Sequence, residues 1–585
     1  MLRVTILTLL AASADACTTL IVGKKASVDG SVMCTHSDDG EANPDSRLVK
    51  VPASDHAKGS TRPIYYDTED YPRFVGDRGV DAYLPKNNPG ATPSVAIGSI
   101  PQVAHTFAYY EGTYGILNEH QVGIGESTCS AIYGAKARGH GGDALFSIDT
   151  LSRIAMERAS TAREAVQLMG SLAEAEGFYG AGEFEGTGES LMVTDPNEGY
   201  IFHILPDHTG KSAVWAAQRV GDDEVGVVAN MFVIRRLLTN QTTDGRPDFL
   251  FSASVHSVAQ KNGWWSPSDG PLDFVRVYSD GEYAHKFYSG RRVWGAYRLL
   301  VPGTPLAANY TDLRTEPDVY PATLRATRKL SPLDLMATHR DMYQGTPFDM
   351  TTGVAAGPFG NPDRYSTASV TKLPGAWERS IGLYRTGYSH VVQSRGWLPN
   401  AVGGVLWFGP HAAHGTCYLP LHAGGAAVPA PYSRADPSAI DRASAYWGHK
   451  YALNVARLRY ADMMAIVGAL QTKFEQGFWA RVKAQTAPNA TSAVAPATEA
   501  EQLAAAADDD AQKVLAAWWA LPDQLIFQFA DGWHADGAAL GYPDAWLKQI
   551  GWEEGPAPPP KDPNLPHCCQ KGFTGGDGLV EKRVL

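Results

Sequence analysis

Six cysteines in 585 residues are too few to build this protein as a disulfide scaffold. No Cys-x-x-Cys pair and no His-Glu-x-x-His signature occurs, so a metal site has no sequence support. Beyond the first sixteen residues there is no apolar run long enough to cross a bilayer. Positive charge is also short: 50 Lys and Arg against 62 Asp and Glu leave a net charge of -12. That balance argues against nucleic acid or an anionic membrane as partner, because both need a basic face. What remains is a soluble globular chain, 44% hydrophobic, long enough for one large catalytic domain and an addition.

What the sequence does have is a leader. Met1 to Ala16 carries one positive residue, Arg3, an apolar run from Val4 to Ala12, and small residues at Ala14 and Ala16, the two positions a signal peptidase reads. The run is too short to span a membrane. Two other readings stand beside it: a buried first strand of a cytosolic protein, and a lipoprotein signal that would acylate Cys17. Against the second, Ala14 rather than an aliphatic residue stands three before the cysteine, with acidic Asp15 between. Sequons at Asn240, Asn309 and Asn489 fit a secreted glycoprotein.

Cutting after Ala16 makes Cys17 the first residue and places a thiol and a free α-amine on one carbon. An amine with a pKa of about 7.7 is substantially neutral near neutrality and can take the proton of a thiol whose free pKa is about 8.5. Nucleophile and base then reside in one residue, the arrangement of N-terminal-nucleophile (Ntn) hydrolases.

Following the chain, Thr18 to Val22 and Ser31 to Thr35 read as strands of a hairpin turned at Asp29-Gly30. The hairpin returns Thr35 to Asp39 toward Cys17, where carboxylates could hold the amine; a solvated loop is the other reading of Asp38 and Asp39. Asn43 to Pro93 reads as irregular strands and loops, and Val95–Ile100 and Thr106–Tyr110 as strands. Asn118 to Gln121 makes a turn, after which Gly123 and Gly125 let a backbone pass close to something. Helices are expected over Phe146–Ala159 and Ala162–Ala175, the second capped by Thr161 and stopped by Gly177. Strands resume at Ser190–Thr194, Tyr200–Leu205, Trp215–Arg219 and Val225–Asn230. Strands, then two helices, then strands suits an α+β fold of four layers, an αββα sandwich.

Several blocks then resemble a known family. Cys17-Thr18-Thr19, Val22 to Ser27 and Asp29-Gly30-Ser31 are similar to the opening of the cysteine dipeptidases of the Ntn hydrolases, a family that includes the secernins. Asn118-Glu119 with Val122 to Ile124, Thr161 to Ala165, Trp215 to Val220 and Val227 to Asn230 continue the resemblance. So do Arg340 to Thr346, Ala356 to Pro362, Glu378 to Ser380 and Ser394 to Pro399. The resemblance implies the Ntn αββα sandwich, short peptides, mainly dipeptides, as substrates, and hydrolysis without metal or cofactor. It matches Cys17 to the nucleophile, Asp39 to the acidic residue near the amine, and Asn230 to an oxyanion-hole amide. Arg292 or, equally, Arg291 matches the site arginine. His36 departs from it, since many relatives carry an arginine three before the aspartate, a difference that bears on how the amine is tuned and on the pH optimum. A looser reading is an Ntn amidase acting on another N-acyl compound, and a rival of a different class is a secreted binding protein that kept the fold without catalysis.

The C-terminal part carries His411, His414 and His422 near Cys417, which read as structural histidines rather than a Cys/His pair or a metal site. A helical stretch is expected over Ala439–Lys483, a loop or short helix over Ala484–Asp510, and a helix over Ala511–Ala535. The expected organisation is a signal peptide at 1–16, a peptidase domain at 17–435, a helical extension packed on it at 436–552, and a poorly ordered tail at 553–585 holding Cys568 and Cys569. Homo-oligomerisation is left open by these patterns.

Overall fold

The computed structural model describes residues 17–40, 44–66, 71–73, 78, 94–180, 187–282, 287–308, 320–365, 373, 375–485 and 496–552. The leader, the sequons at Asn309 and Asn489, and the tail with Cys568 and Cys569 lie outside these residues, whereas Asn240 is described and exposed. Among the described residues no helix is long and apolar enough to cross a membrane.

Thr19–Val22 and Val32–Asp38 form the expected hairpin, with Ile21 opposite Cys34 and Gly30 in a left-handed conformation at φ 89°. The second strand runs further than its sequence pattern suggests. Beyond the reach of its first partner it still pairs with Tyr388–Ser394, placing Tyr388 opposite Asp38. Asp38 and Asp39 are therefore buried, at 3% and 0% exposure, and the solvated-loop reading does not hold.

The chain is an α+β protein whose two large antiparallel sheets carry different outer cover. The first runs Thr323–Arg325, Glu224–Val228, Thr19–Val22, Val32–Asp38, Tyr388–Ser394, Val405–Pro410, Leu419–His422. The second runs Phe249–Phe251, Ala213–Arg219, Gly199–Pro206, Gly188–Thr194, Gly123–Cys129, Gly115–Asn118, Tyr109–Glu111, Val49–Val51. The sheets face one another, Val32–Asp38 lying against Gly123–Cys129 and Gly188–Thr194.

Strand alternation divides the interior into two cores. Met192 and Ile201 point between the sheets, while Leu191, Val193, Phe202 and Ile204 point the other way into a core shared with Leu151, Ile154, Val166 and Met169 of two helices. Both faces are buried, which is why these strands read as continuous apolar runs. Those helices are Ile148–Arg158 and Ala162–Glu176, with Ser147 and Thr161 capping their first turns and Gly177 ending the second at φ 83°. Gly290–Leu300 and Pro332–His339 cover the outer face of the first sheet.

Between the sheets, a Cβ on Gly125 would stand 1.9 Å from the Thr35 carbonyl oxygen and 2.7 Å from Thr19 Oγ1. Only glycine permits this approach, and it lets the residues just beyond Gly125 reach the chain at Cys17.

Several further element boundaries differ from the sequence pattern; the expected strand Thr106–Tyr110, for one, is split into His105–Thr106 and Tyr109–Glu111. The strand expected to end at Asn230 ends at Val228. The helix expected from Ala439 starts at Ala445, capped by Ser444, and is interrupted by a tighter turn at Arg457–Arg459 before Tyr460–Ala484. Pro496–Phe529 is one helix, because its buried stripe of Ala507, Ala511, Val514, Trp518, Leu521 and Leu525 begins before Ala511 at helical spacing. It packs on Ala445–Ala456 and on Leu419–His422, and Trp518 Nε1 donates to the Gly415 carbonyl at 3.0 Å.

Candidate active site

Cys17 lies just ahead of a central strand of the first sheet, a free thiol at 1% exposure. Its backbone is fixed from several directions. The Cys17 carbonyl accepts from Ser127 Oγ at 3.1 Å and from Arg292 Nη1 at 2.8 Å. At the next residue, the Thr18 amide donates to Ser37 Oγ at 3.2 Å and the Ser37 amide to the Thr18 carbonyl at 3.0 Å. Ser127 comes from the opposite sheet, two residues past Gly125, so the glycine's close approach brings that hydroxyl to Cys17.

Arg292 is fully buried in the helix that covers the first sheet, and it joins two candidate residues. Besides the Cys17 carbonyl, it donates to Thr18 Oγ1 at 2.9 Å and, through Nη2, to Asn230 Oδ1 at 2.6 Å. Burial and the neighbouring Arg379 guanidinium lower its pKa to about 10, which leaves it charged at neutral pH. Arg291 points elsewhere, donating to Glu378 at 3.0 Å and lying over the Phe348 ring. Of the two arginines the sequence left open, Arg292 reaches Cys17 and Asn230, while Arg291 is held by Glu378.

Asn230 sits past the strand end with φ 53°, a left-handed conformation that asparagine tolerates better than most residues. Its amide nitrogen donates to the Thr128 carbonyl at 2.6 Å, and its backbone N–H to Ser127 Oγ at 2.9 Å. A side-chain amide has two N–H bonds, so one remains beyond the bond to Thr128. Arg292 holding Oδ1 fixes which end of the amide is the donor.

Asp39 is bound by Arg379, Thr386 and, at 3.2 Å, Ser37 Oγ. Arg379 belongs to the Glu378-Arg379-Ser380 block and Ser37 to the hairpin, so Asp39 ties the hairpin end to a distant loop.

Burial and the carboxylates of Glu126, Asp38 and Asp39 push the Cys17 thiol well above its ordinary pKa, opposed by a hydrogen bond from the Asp39 backbone. A thiolate alone is therefore disfavoured in this field. The same carboxylates favour a cation placed among them. His36 Nδ1 lies 2.9 Å from the Glu126 carbonyl oxygen and 3.8 Å from its Oε2, and burial lowers the ring's pKa to about 4. Cys17, His36 and Glu126 are, among the described residues, the group of three donors close enough to share a metal ion, their ligand atoms lying within 4.8 Å of one another.

The structure thus gathers Cys17, Asp39, Asn230 and Arg292 around one buried point. The sequence reading missed Glu126, Ser127 and Arg379 as site residues. The signal for the first two was the Gly123/Gly125 pair just before them, read as allowing a close approach without saying what approached. His411, His414 and Cys417 are buried elsewhere, against the C-terminal helices.

The sequence model of peptidase family C69 matches residues 16–73 and 109–473. The chain is 26% identical over 414 residues to a probable dipeptidase of Salmonella dublin, spanning 70% of this chain and 81% of that protein. It is 25% identical over 474 residues to a probable dipeptidase of Latilactobacillus sakei, with 80% and 86% covered. To dipeptidase A of Lactobacillus helveticus it is 21% identical over 483 residues, with 79% and 85% covered.

Proposed function

The chain belongs to peptidase family C69, and from that premise we propose that it is a secreted dipeptidase whose first mature residue, Cys17, supplies both nucleophile and base. It is a hydrolase, and dipeptides as substrates follow from its relatives, which carry the name dipeptidase at similar length. The observation that carries the mechanism is the link from the Cys17 carbonyl through Arg292 to the Asn230 amide, joining residues 275 positions apart. Two antiparallel sheets between helical layers support the αββα Ntn sandwich as its fold. The domain boundaries follow the sequence reading: a peptidase domain at 17–435, with 436–552 packed on it.

Removal of residues 1–16 frees the Cys17 amine. The thiol proton passes to that amine, directly or through a water, and the carboxylates of Glu126, Asp38 and Asp39 favour the ammonium that forms. This offsets the penalty they place on the thiolate, so the pair is better accommodated than the thiolate alone. Attack on the peptide carbonyl creates an oxyanion, which the remaining Asn230 N–H and a backbone amide stabilise; one such donor typically contributes about 3 kcal/mol to lowering the barrier. The ammonium protonates the leaving amine. A water deprotonated by the amine then clears the thioester. Arg292 touches the nucleophile's backbone and the oxyanion donor, and so acts as a positioning residue.

The test is the N-terminal sequence of protein secreted by its own or a compatible host. A start at unmodified Cys17 is expected. A start elsewhere, or an acylated Cys17, removes the base and brings the non-catalytic binding protein forward.

A further inference from the structure

We infer that Cys17, His36 and Glu126 form a binding site for a thiophilic divalent transition metal of the zinc class, which holds the enzyme reversibly inactive by occupying its nucleophile. The inference rests on the reading of Cys17 as that nucleophile for its inhibitory consequence, though not for the binding itself.

The donors are a thiol, an imidazole nitrogen and a carboxylate oxygen, all buried, within 4.8 Å of one another. They come from separate parts of the chain: Cys17 from the mature start, His36 from the hairpin's second strand and Glu126 from the facing sheet. His36 Nδ1 already lies 3.8 Å from Glu126 Oε2, and His36 Nε2 is buried with no hydrogen-bond partner. Tetrahedral zinc holds sulfur at about 2.3 Å and nitrogen or oxygen at about 2.0–2.2 Å, which sets neighbouring ligand atoms roughly 3.5 Å apart. The three donors need to close by about 1 Å to reach that spacing.

Donor chemistry selects the ion. Thiolate, imidazole and carboxylate together suit zinc or cobalt, whereas calcium and magnesium require shells of oxygen that this site does not offer. A thiolate and a carboxylate carry two negative charges, matching a dication. In the processed chain the Cys17 amine can close a five-membered ring with the same metal and fill a fourth position. Binding forms a metal–sulfur bond and releases the thiol proton to solvent, with no change of oxidation state. The sulfur lone pair that would attack a peptide is then held by the metal.

The experiment uses the full secreted protein, stripped with a chelator and kept under reducing, oxygen-free conditions. Titration with Co²⁺ is expected to give a saturable sulfur-to-cobalt charge-transfer band at one ion per chain, displaced by Zn²⁺. Cys17→Ser should abolish the band. His36→Gln and Glu126→Gln should each weaken Co²⁺ binding by at least about tenfold, the loss that removal of even an outer-sphere partner causes. A wild-type arm needs no variant to fold: Zn²⁺ should slow carboxymethylation of Cys17, and chelator should restore it. A cobalt band indifferent to both His36→Gln and Glu126→Gln, or alkylation unaffected by Zn²⁺, overturns the site. If Cys17→Ala keeps dipeptidase activity, the nucleophile reading fails while the cobalt result still decides the metal site. If Cys17→Ala is inactive and no band appears, only the metal site falls.

Discussion

Two buried cysteines with histidines nearby stand in different surroundings in this molecule. Cys17 and Cys417 are both free, and burial pushes both thiols well above their ordinary pKa. Around Cys417 most hydrogen bonds of Arg340, Gln471 and Glu475 go to backbone, beside one ion pair. Arg340 donates to the carbonyls of Ala413 and Thr416, each at 3.0 Å, and Gln471 to those of His414 and Thr416. Glu475 pairs with Arg340 at 2.6 Å and accepts the Tyr418 amide at 3.0 Å. These contacts fasten a loop to a helix. Around Cys17, pairs between charged and amide side chains are more numerous: Arg292 with Asn230, Arg379 with Asp39, Glu126 beside His36. Side chains that bind side chains around a thiol leave its surroundings charged and oriented, which chemistry requires and packing does not.

The largest expected effect tests that contrast directly. Cys17→Ala should lower kcat/KM for dipeptides by at least about a thousandfold with little change in melting temperature. Cys417→Ala should leave activity within about twofold and cost about 1–3 kcal/mol of stability, read from urea unfolding. An inactive but folded Cys417→Ala breaks the comparison. Next come the buried ion pairs, where removing one partner leaves an uncompensated charge. Arg379→Met and Arg340→Met should each destabilise by about 3–5 kcal/mol. Only the first should also lower kcat below the unfolding transition, because only Asp39 lies beside Cys17. Asn230→Gly keeps the left-handed backbone and removes the amide. Steady-state kinetics should show kcat falling about 10²- to 10³-fold, with a smaller change in KM. A last effect, absent at neutral pH, is common to both regions. Burial lowers His36, His414 and His449 from 6.5 to about 4. The unfolded chain therefore binds protons that the folded chain refuses between these values. Stability should be fully present above about pH 6.5 and fall toward pH 4, by up to about 1.4 kcal/mol per pH unit for each histidine. His414→Gln should flatten the slope of urea midpoint against pH without changing activity at neutral pH.

Much of the fold was legible locally. The hairpin at Cys17, the capped helices at Ser147 and Thr161, and the strands on either side of them follow from turn residues, caps and apolar runs, all of which act over a few residues. The long C-terminal helix was cut short in the sequence reading because its acidic, alanine-rich first half resembles a solvated tract. What extends it is burial of Ala507 and Ala511 against other elements. Asp38 stood between a site carboxylate and a loop residue for a similar reason: the strand that buries it, Tyr388–Ser394, lies 350 positions away.

The sequence by itself determined the chemistry on offer. Ordered blocks shared with a peptidase family point to an amide-bond substrate, and a leader-like stretch ahead of Cys17 carries the proposal of a thiol and an amine on one residue, because both readings depend on residue identity and order along the chain. Tertiary structure decided which side chains lie around that thiol. It chose Arg292 over its neighbour, brought Ser127 and Glu126 across through Gly125, and set His36 beside them. Local patterns cannot reach such choices, since they depend on how two sheets meet and on which face of a helix turns inward.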